Sequence, residues 1–144
     1  MSGDMTPLLG YRLKLAQHAL HLRMEAALRP LGLSPAQYAV LAELNVRPDQ
    51  TNAELAVRAF ITPQSMQGVL ARLETIGLVE RRQDIRHGRR QLARLTSQGH
   101  AKAESANIEV MHVEERLEAA VPPDSLQHAV ELMERLHRAM GDET

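Results

Sequence analysis

Seven arginines fall between residues 72 and 94, at 72, 81, 82, 86, 89, 90 and 94, against only Glu74, Glu80 and Asp84. A guanidinium is planar, permanently charged and shaped to take two oxygens at once, so such a run is chemistry for a phosphate polyanion. The stretch before it carries a different kind of group. Thr62-Pro63-Gln64-Ser65 opens a helical segment to Ile76, with Met66, Val69, Leu70, Leu73 and Ile76 recurring along one face. At about 100° per residue, Gln64, Gly68, Ala71 and Thr75 fall opposite, flanked by Ser65, Gln67 and Arg72. Amide side chains pair bidentately with adenine edges. Amides, hydroxyls and small residues suit base reading better than the Glu/Lys pattern of a solvated face. Gly68 inside a helix costs roughly 1 kcal/mol against Ala. Close approach to a DNA backbone or to a neighbouring helix would justify it; a neutral glycine on a solvent face is the alternative. The candidate DNA-contacting residues are therefore Thr62, Gln64, Ser65, Gln67, Gly68 and Arg72 on the helix, with Arg86, His87, Arg89 and Arg90 beyond it.

These groups need a frame. Gly77 stops the helix, and Leu78-Val79 leads into Glu80-Arg81-Arg82. A polar loop, Gln83 to Gly88, returns as Arg89 to Leu95, so residues 78–95 read as a hairpin with a long polar tip. A helix followed at once by an arginine-bearing hairpin can grip a duplex, the helix in a major groove and the hairpin toward phosphates or the minor groove. Upstream, residues 8–29 read as one long helix with two apolar stripes, ended by Pro30 and Gly32. Ser34-Pro35-Ala36-Gln37 is a capping box with Pro at the first helical position, and that helix carries Leu41 and Leu44 inward. Thr51-Asn52-Ala53-Glu54 repeats the capping-box logic for a short helix ending about Ala59. Downstream, Thr96 opens a long helix broken at Pro122-Pro123, and a last amphipathic helix carries Leu126, Val130, Met133 and Met140. The fold expected is mainly α with a small β-hairpin wing: a winged helix-turn-helix over 31–96, flanked by dimerisation helices at 1–30 and 97–144. The long terminal helices carry more apolar surface than so small a module can cover. A symmetric homodimer is the simplest remedy. It also sets two recognition helices about one DNA turn apart, matching a palindromic site.

With 144 residues, one domain with extensions is the expectation. Two Tyr and one Phe are the only aromatics, so Leu, Val, Ala and Met must fill the core. No cysteine is present, which excludes disulfides and thiolate metal sites. No apolar run approaches a membrane span and the N-terminus lacks an apolar signal region, so the expectation is a soluble, cytoplasmic protein. The net charge of −1 hides a strong segregation, with +4 over residues 72–94 and −6 over 97–144. A polyanion responds to the local field, because charges beyond about 10 Å are screened at roughly 0.1 M salt.

At this point the chain resembles the MarR family of bacterial winged-helix transcriptional regulators. The resemblance rests on the helix from Thr62-Pro63-Gln64-Ser65, the run Leu73-Glu74-Thr75-Ile76-Gly77-Leu78-Val79-Glu80-Arg81, the wing from Asp84 to His87-Gly88-Arg89, and Leu95-Thr96-Ser97-Gln98-Gly99. It implies a homodimeric repressor or activator, with repressor the favoured reading. Helix 62–76 would lie in the major groove, and Arg89, near the wing tip, would enter the adjacent minor groove. Asp84 corresponds to a wing Asp that orients an arginine across the turn. Many members carry Asp-Arg-Arg where this chain has His87-Gly88-Arg89, which leaves Arg86 and Arg90 as competitors for the inserted position. The resemblance also implies a crevice for a small aromatic or lipophilic anionic effector, with Tyr11, Arg12, His18, His21 and Tyr38 as candidate lining residues.

Other chemistries find less support. His18 and His21, with His112 or Glu115, have the residue types of a zinc site but no longer ligand pattern, so no metal and no cofactor are expected. No phosphate-binding glycine loop or HExxH occurs, and Ser65 has no motif-linked His and acid, so no enzymatic activity is expected. The alternative to DNA binding is a winged-helix module used for protein–protein contact without direct DNA readout.

Overall fold

Each helix start around the arginine hairpin is set by a hydroxyl cap. A computed structural model describes residues 3–141. In it α1 spans Leu9–Leu28, α2 Pro35–Val46, α3 Asn52–Ala59, α4 Pro63–Thr75, β1 Val79–Gln83, β2 Gln91–Leu95, α5 Ser97–Ala119 and α6 Leu126–Gly141. Ser34 closes a full capping box with Gln37 at the start of α2. Thr62 Oγ1 accepts the Ser65 N–H at 3.0 Å, and Thr96 Oγ1 accepts the Gly99 N–H at 3.0 Å. The box expected at Thr51 is half made. Its hydroxyl takes the Glu54 N–H at 3.2 Å, but the Glu54 carboxylate turns away to Arg90, at 3.3 Å. A guanidinium outcompetes a single backbone N–H for a carboxylate.

Gly77 ends α4 because the chain there must enter the left-handed region (φ 80°). Its N–H bonds to Glu74 C=O at 3.1 Å and the Leu78 N–H to Leu73 C=O at 2.9 Å, a Schellman closure that sends the chain straight into β1. β1 and β2 pair antiparallel from Val79↔Leu95 to Gln83↔Gln91. A short third element joins them, since Gln50 and Ala93 form a bridge on the other side of β2.

The core is aliphatic, as the composition requires. Leu28, Leu41, Leu44, Leu55, Met66, Leu70, Leu73 and Val79 are buried, with Ala103 and Ala106 of α5 completing the cluster. α4 thus turns Met66, Leu70 and Leu73 inward, while Ile76, expected on the same face, is its C-cap and is exposed. The described residues form two compact units, one reaching Val110 and the other starting at Met111. Leu9, Leu15 and Leu22 of α1 and Val130, Met133 and Met140 of α6 are exposed in the protomer. Among the described residues no helix is long and apolar enough to cross a membrane.

Candidate nucleic-acid interface

α4 presents to solvent the residues assigned to it from the sequence. Thr62, Gln64, Ser65, Gln67, Gly68 and Arg72 are all exposed. A Cβ added at Gly68 would meet nothing within 4 Å, so no neighbouring helix accounts for that glycine. The start of α4 is steadied from α3, where Asn52 Nδ2 donates to Pro63 C=O at 2.9 Å. Between α3, α4 and the hairpin lies a groove of about 660 Å³, lined among others by Asn52, Gln67, Ala71, Arg89 and Arg90.

The structure sorts the seven arginines into two groups. Arg81 pairs with Glu74 at 3.3 Å and Arg82 with Glu80 at 3.3 Å. Arg94 makes a two-pronged bond to Asp49, at 2.7 Å to each carboxylate oxygen. Arg90 reaches Glu54 at 3.3 Å and lies 3.9 Å from Asp84. Arg72, Arg86 and Arg89 have no acidic partner among the described residues. An arginine already holding a carboxylate must give it up to take a phosphate, so the unpaired three are the readier contacts. Arg90, ranked from sequence with Arg89, lines the same groove and also joins the wing to α3 through Glu54.

The wing tip is held by its own hydrogen bonds. The Asp84 N–H bonds to Arg90 C=O at 2.7 Å, and the Arg90 N–H to His87 C=O at 2.8 Å. Asp84 Oδ1 accepts the Arg86 N–H at 2.9 Å, and Gln83 Nε2 donates to Gly88 C=O. Arg86, His87 and Arg89 are exposed on this loop. Asp84 Oδ2 lies 3.9 Å from Arg90 Nε, an ion pair too long for a hydrogen bond, while its Oδ1 holds the Arg86 N–H.

Sequence reasoning passed over Asp49 and Gln50. Asp49 sits at φ 64°, a left-handed position that Asp tolerates better than most residues. From there it clamps Arg94. Gln50 is buried, and its amide donates to Arg47 C=O at 2.7 Å, closing the end of α2 while its backbone pairs with Ala93. Pro48-Asp49-Gln50 was the available signal, a turn-forming pair followed by a polar residue with no evident purpose.

The effector candidates are spread over α1 and α2. Tyr11, Arg12 and His18 are exposed along α1. His21 Nε2 lies 2.9 Å from Glu25 Oε1, and Tyr38 donates to Asn107 Oδ1 at 2.7 Å. Among the described residues no group of three or more His, Asp or Glu is placed to hold a metal. Burial pushes the Tyr38 hydroxyl above the ordinary tyrosine value.

The family model of the MarR family matches residues 31–90. The HTH-type transcriptional repressor Rv2887 of Mycobacterium tuberculosis is 35% identical over 128 residues, covering 89% of this chain and 92% of that one. The chain belongs to the MarR family. Its winged helix matches other MarR structures. The transcriptional repressor CouR, bound to a DNA duplex, superimposes with a TM-score of 0.85 at 28% identity, over 94% of this chain and 96% of CouR. Rv2887 in complex with salicylic acid gives a TM-score of 0.73 at 35% identity, over 89% of this chain and 95% of that one. Rv2887 has also been solved in complex with DNA.

Proposed function

We propose that this MarR-family chain is a cytoplasmic, sequence-specific transcriptional repressor that binds a palindromic operator as a homodimer and is released by a small aromatic carboxylate. The observation that carries the reading is the juxtaposition of an exposed polar face on α4 with a hydrogen-bonded wing whose Arg86 and Arg89 have no acidic partner among the described residues. α4 enters the major groove, where Gln64, Ser65 and Gln67 meet base edges. Arg89 enters the adjacent minor groove, whose narrow A·T-rich form attracts guanidinium. Within the segments 1–30 and 97–144, α1, α5 and α6 supply the dimer helices, and the exposed leucines of α1 and methionines of α6 are the surface they bury.

Relatives that hold DNA in one structure and salicylic acid in another support the effector half of the reading. Arg12 supplies a cation for a carboxylate, and Tyr11, His18, His21 and Tyr38 are the other residues assigned to the crevice. Such a ligand favours a dimer geometry in which the two recognition helices no longer match successive major grooves, a population shift between two states. The family is one of regulators, and no reaction is assigned to this chain.

The test is a fluorescence-anisotropy titration of the dimer against a duplex from its own promoter region at several salt concentrations. A DNA binder loses affinity steeply with salt because bound arginines displace counterions. Arg89→Ala is expected to weaken binding by at least about 1 kcal/mol and to lower the salt slope by about one. Little duplex affinity even at low ionic strength refutes the reading and favours a protein-interaction module.

A further inference from the structure

The wing carries an apolar side chain that the fold does not use. Ile85 is fully exposed, although it lies in a loop otherwise made of Asp84, Arg86, His87, Gly88, Arg89 and Arg90. Isolated exposed apolar residues are ordinary on protein surfaces, and Val57 and Phe60 of this chain are examples. Ile85 differs from them in how it is held and in what stands beside it. Asp84 on one side is fixed by its N–H to Arg90 C=O, at 2.7 Å. Arg86 on the other side is fixed by its N–H to the Asp84 carboxylate at 2.9 Å, the turn in which an Asp side chain takes the place of a backbone carbonyl. With both neighbours tied, the loop holds Ile85 in solvent instead of folding it back on β1. The same tip carries Arg86 and Arg89, which have no acidic partner among the described residues.

We propose that Ile85 is a specificity-determining contact with DNA, packing on the deoxyribose wall of the minor groove that Arg89 enters. This rests on the DNA-binding reading above. Two unpaired guanidiniums beside it select a polyanion, and the sugar rings are the apolar surface that a duplex offers at that depth. Other minor-groove proteins insert isoleucine and similar side chains between base steps, which shows that an apolar side chain is tolerated in this groove. Such a contact depends on groove width, so it reads DNA shape at positions where no hydrogen bond reads a base.

Ile85→Ser, Ile85→Leu and Arg89→Ala are titrated against the promoter duplex over a range of salt. Loss of the buried apolar area is expected to weaken Ile85→Ser roughly tenfold. Its dependence of log affinity on log salt stays that of the wild type, because no counterion-displacing charge is removed. Ile85→Leu restores most of the affinity. The thermal midpoint of Ile85→Ser is unchanged, since the fold buries none of this side chain. Wild-type affinity in Ile85→Ser overturns the proposal, as does a salt slope reduced as far as that of Arg89→Ala. A wild-type protein that binds no duplex overturns the functional reading and this one together, whereas strong wild-type binding with an indifferent Ile85 overturns this one alone.

Discussion

Gly99 tests whether the base of the wing is as closely built as its geometry implies. The residue is buried in the first turn of α5, and its backbone angle is one that any residue could adopt, so conformational freedom is not what it supplies. Space is. A Cβ at this position would fall well inside contact distance of Leu78 C=O, 3.0 Å from that carbonyl carbon and 3.3 Å from Leu95 Cβ. Backbone has no rotamer to move to, so α5 and the start of β1 must separate. Overpacking of this kind costs about 1–3 kcal/mol. The displaced Leu78 carbonyl also accepts the Thr96 N–H at 3.1 Å, and the adjacent Gly77 carbonyl accepts the Thr96 hydroxyl at 2.6 Å. Straining those two bonds adds about 0.5–1.5 kcal/mol each if they are lost. The helical preference of Ala over Gly returns at most about 1 kcal/mol. The net for Gly99→Ala is a loss of about 1–5 kcal/mol. Urea unfolding followed by circular dichroism, at one fixed protein concentration because the proposed dimer would contribute to stability, measures it. A variant within about 0.5 kcal/mol of the wild type would show that α5 and β1 slide apart freely and that the argument from close approach is wrong. Because Leu78 leads directly into the wing, operator affinity should fall with stability.

The other glycine of interest behaves oppositely: Gly68→Ala is expected to raise stability by about 0.5–1 kcal/mol, since nothing crowds the new methyl group, while weakening operator binding. Unchanged operator binding by that variant would place this face of α4 away from DNA. Gln64→Ala and Ser65→Ala should change the selected consensus more than they change non-specific affinity, and an identical consensus after in-vitro selection would contradict the assignment of α4 to base reading. Burial raises the Tyr38 hydroxyl, and its bond to Asn107 Oδ1 needs the proton. Its contribution is therefore complete below the unfolded tyrosine value near about pH 10 and is lost as pH rises through the higher folded value. Tyr38→Phe should flatten that alkaline limb in urea midpoints measured across it, and an unchanged limb would assign it to other groups.

Much of the architecture is local and was open to reading from the chain. Ser34, Thr51, Thr62 and Thr96 bond to N–H groups three residues on, so their helix starts depend on nothing distant. Gly77 turns α4 into β1 through bonds that reach back no further than Leu73. Periodicity placed Met66, Leu70 and Leu73 inward and left Gln64 and Gln67 outward, because a helix translates spacing directly into direction. The family resemblance followed from the same short runs.

What spacing could not supply was the partner of each charge. Seven arginines look alike in a list of residues, and only closure of the chain brings Asp49 to Arg94 across 45 positions and Glu54 to Arg90 across 36. Those long-range pairs give Arg90 and Arg94 carboxylate partners and leave Arg72, Arg86 and Arg89 without one among the described residues. Gln50 likewise acquires its role only where β2 passes beside the end of α2, and Gly99 only where α5 meets Leu78. Caps, turns and faces are set by neighbours a few residues away, whereas ion pairs and close approaches are set by which segments the folded core brings together.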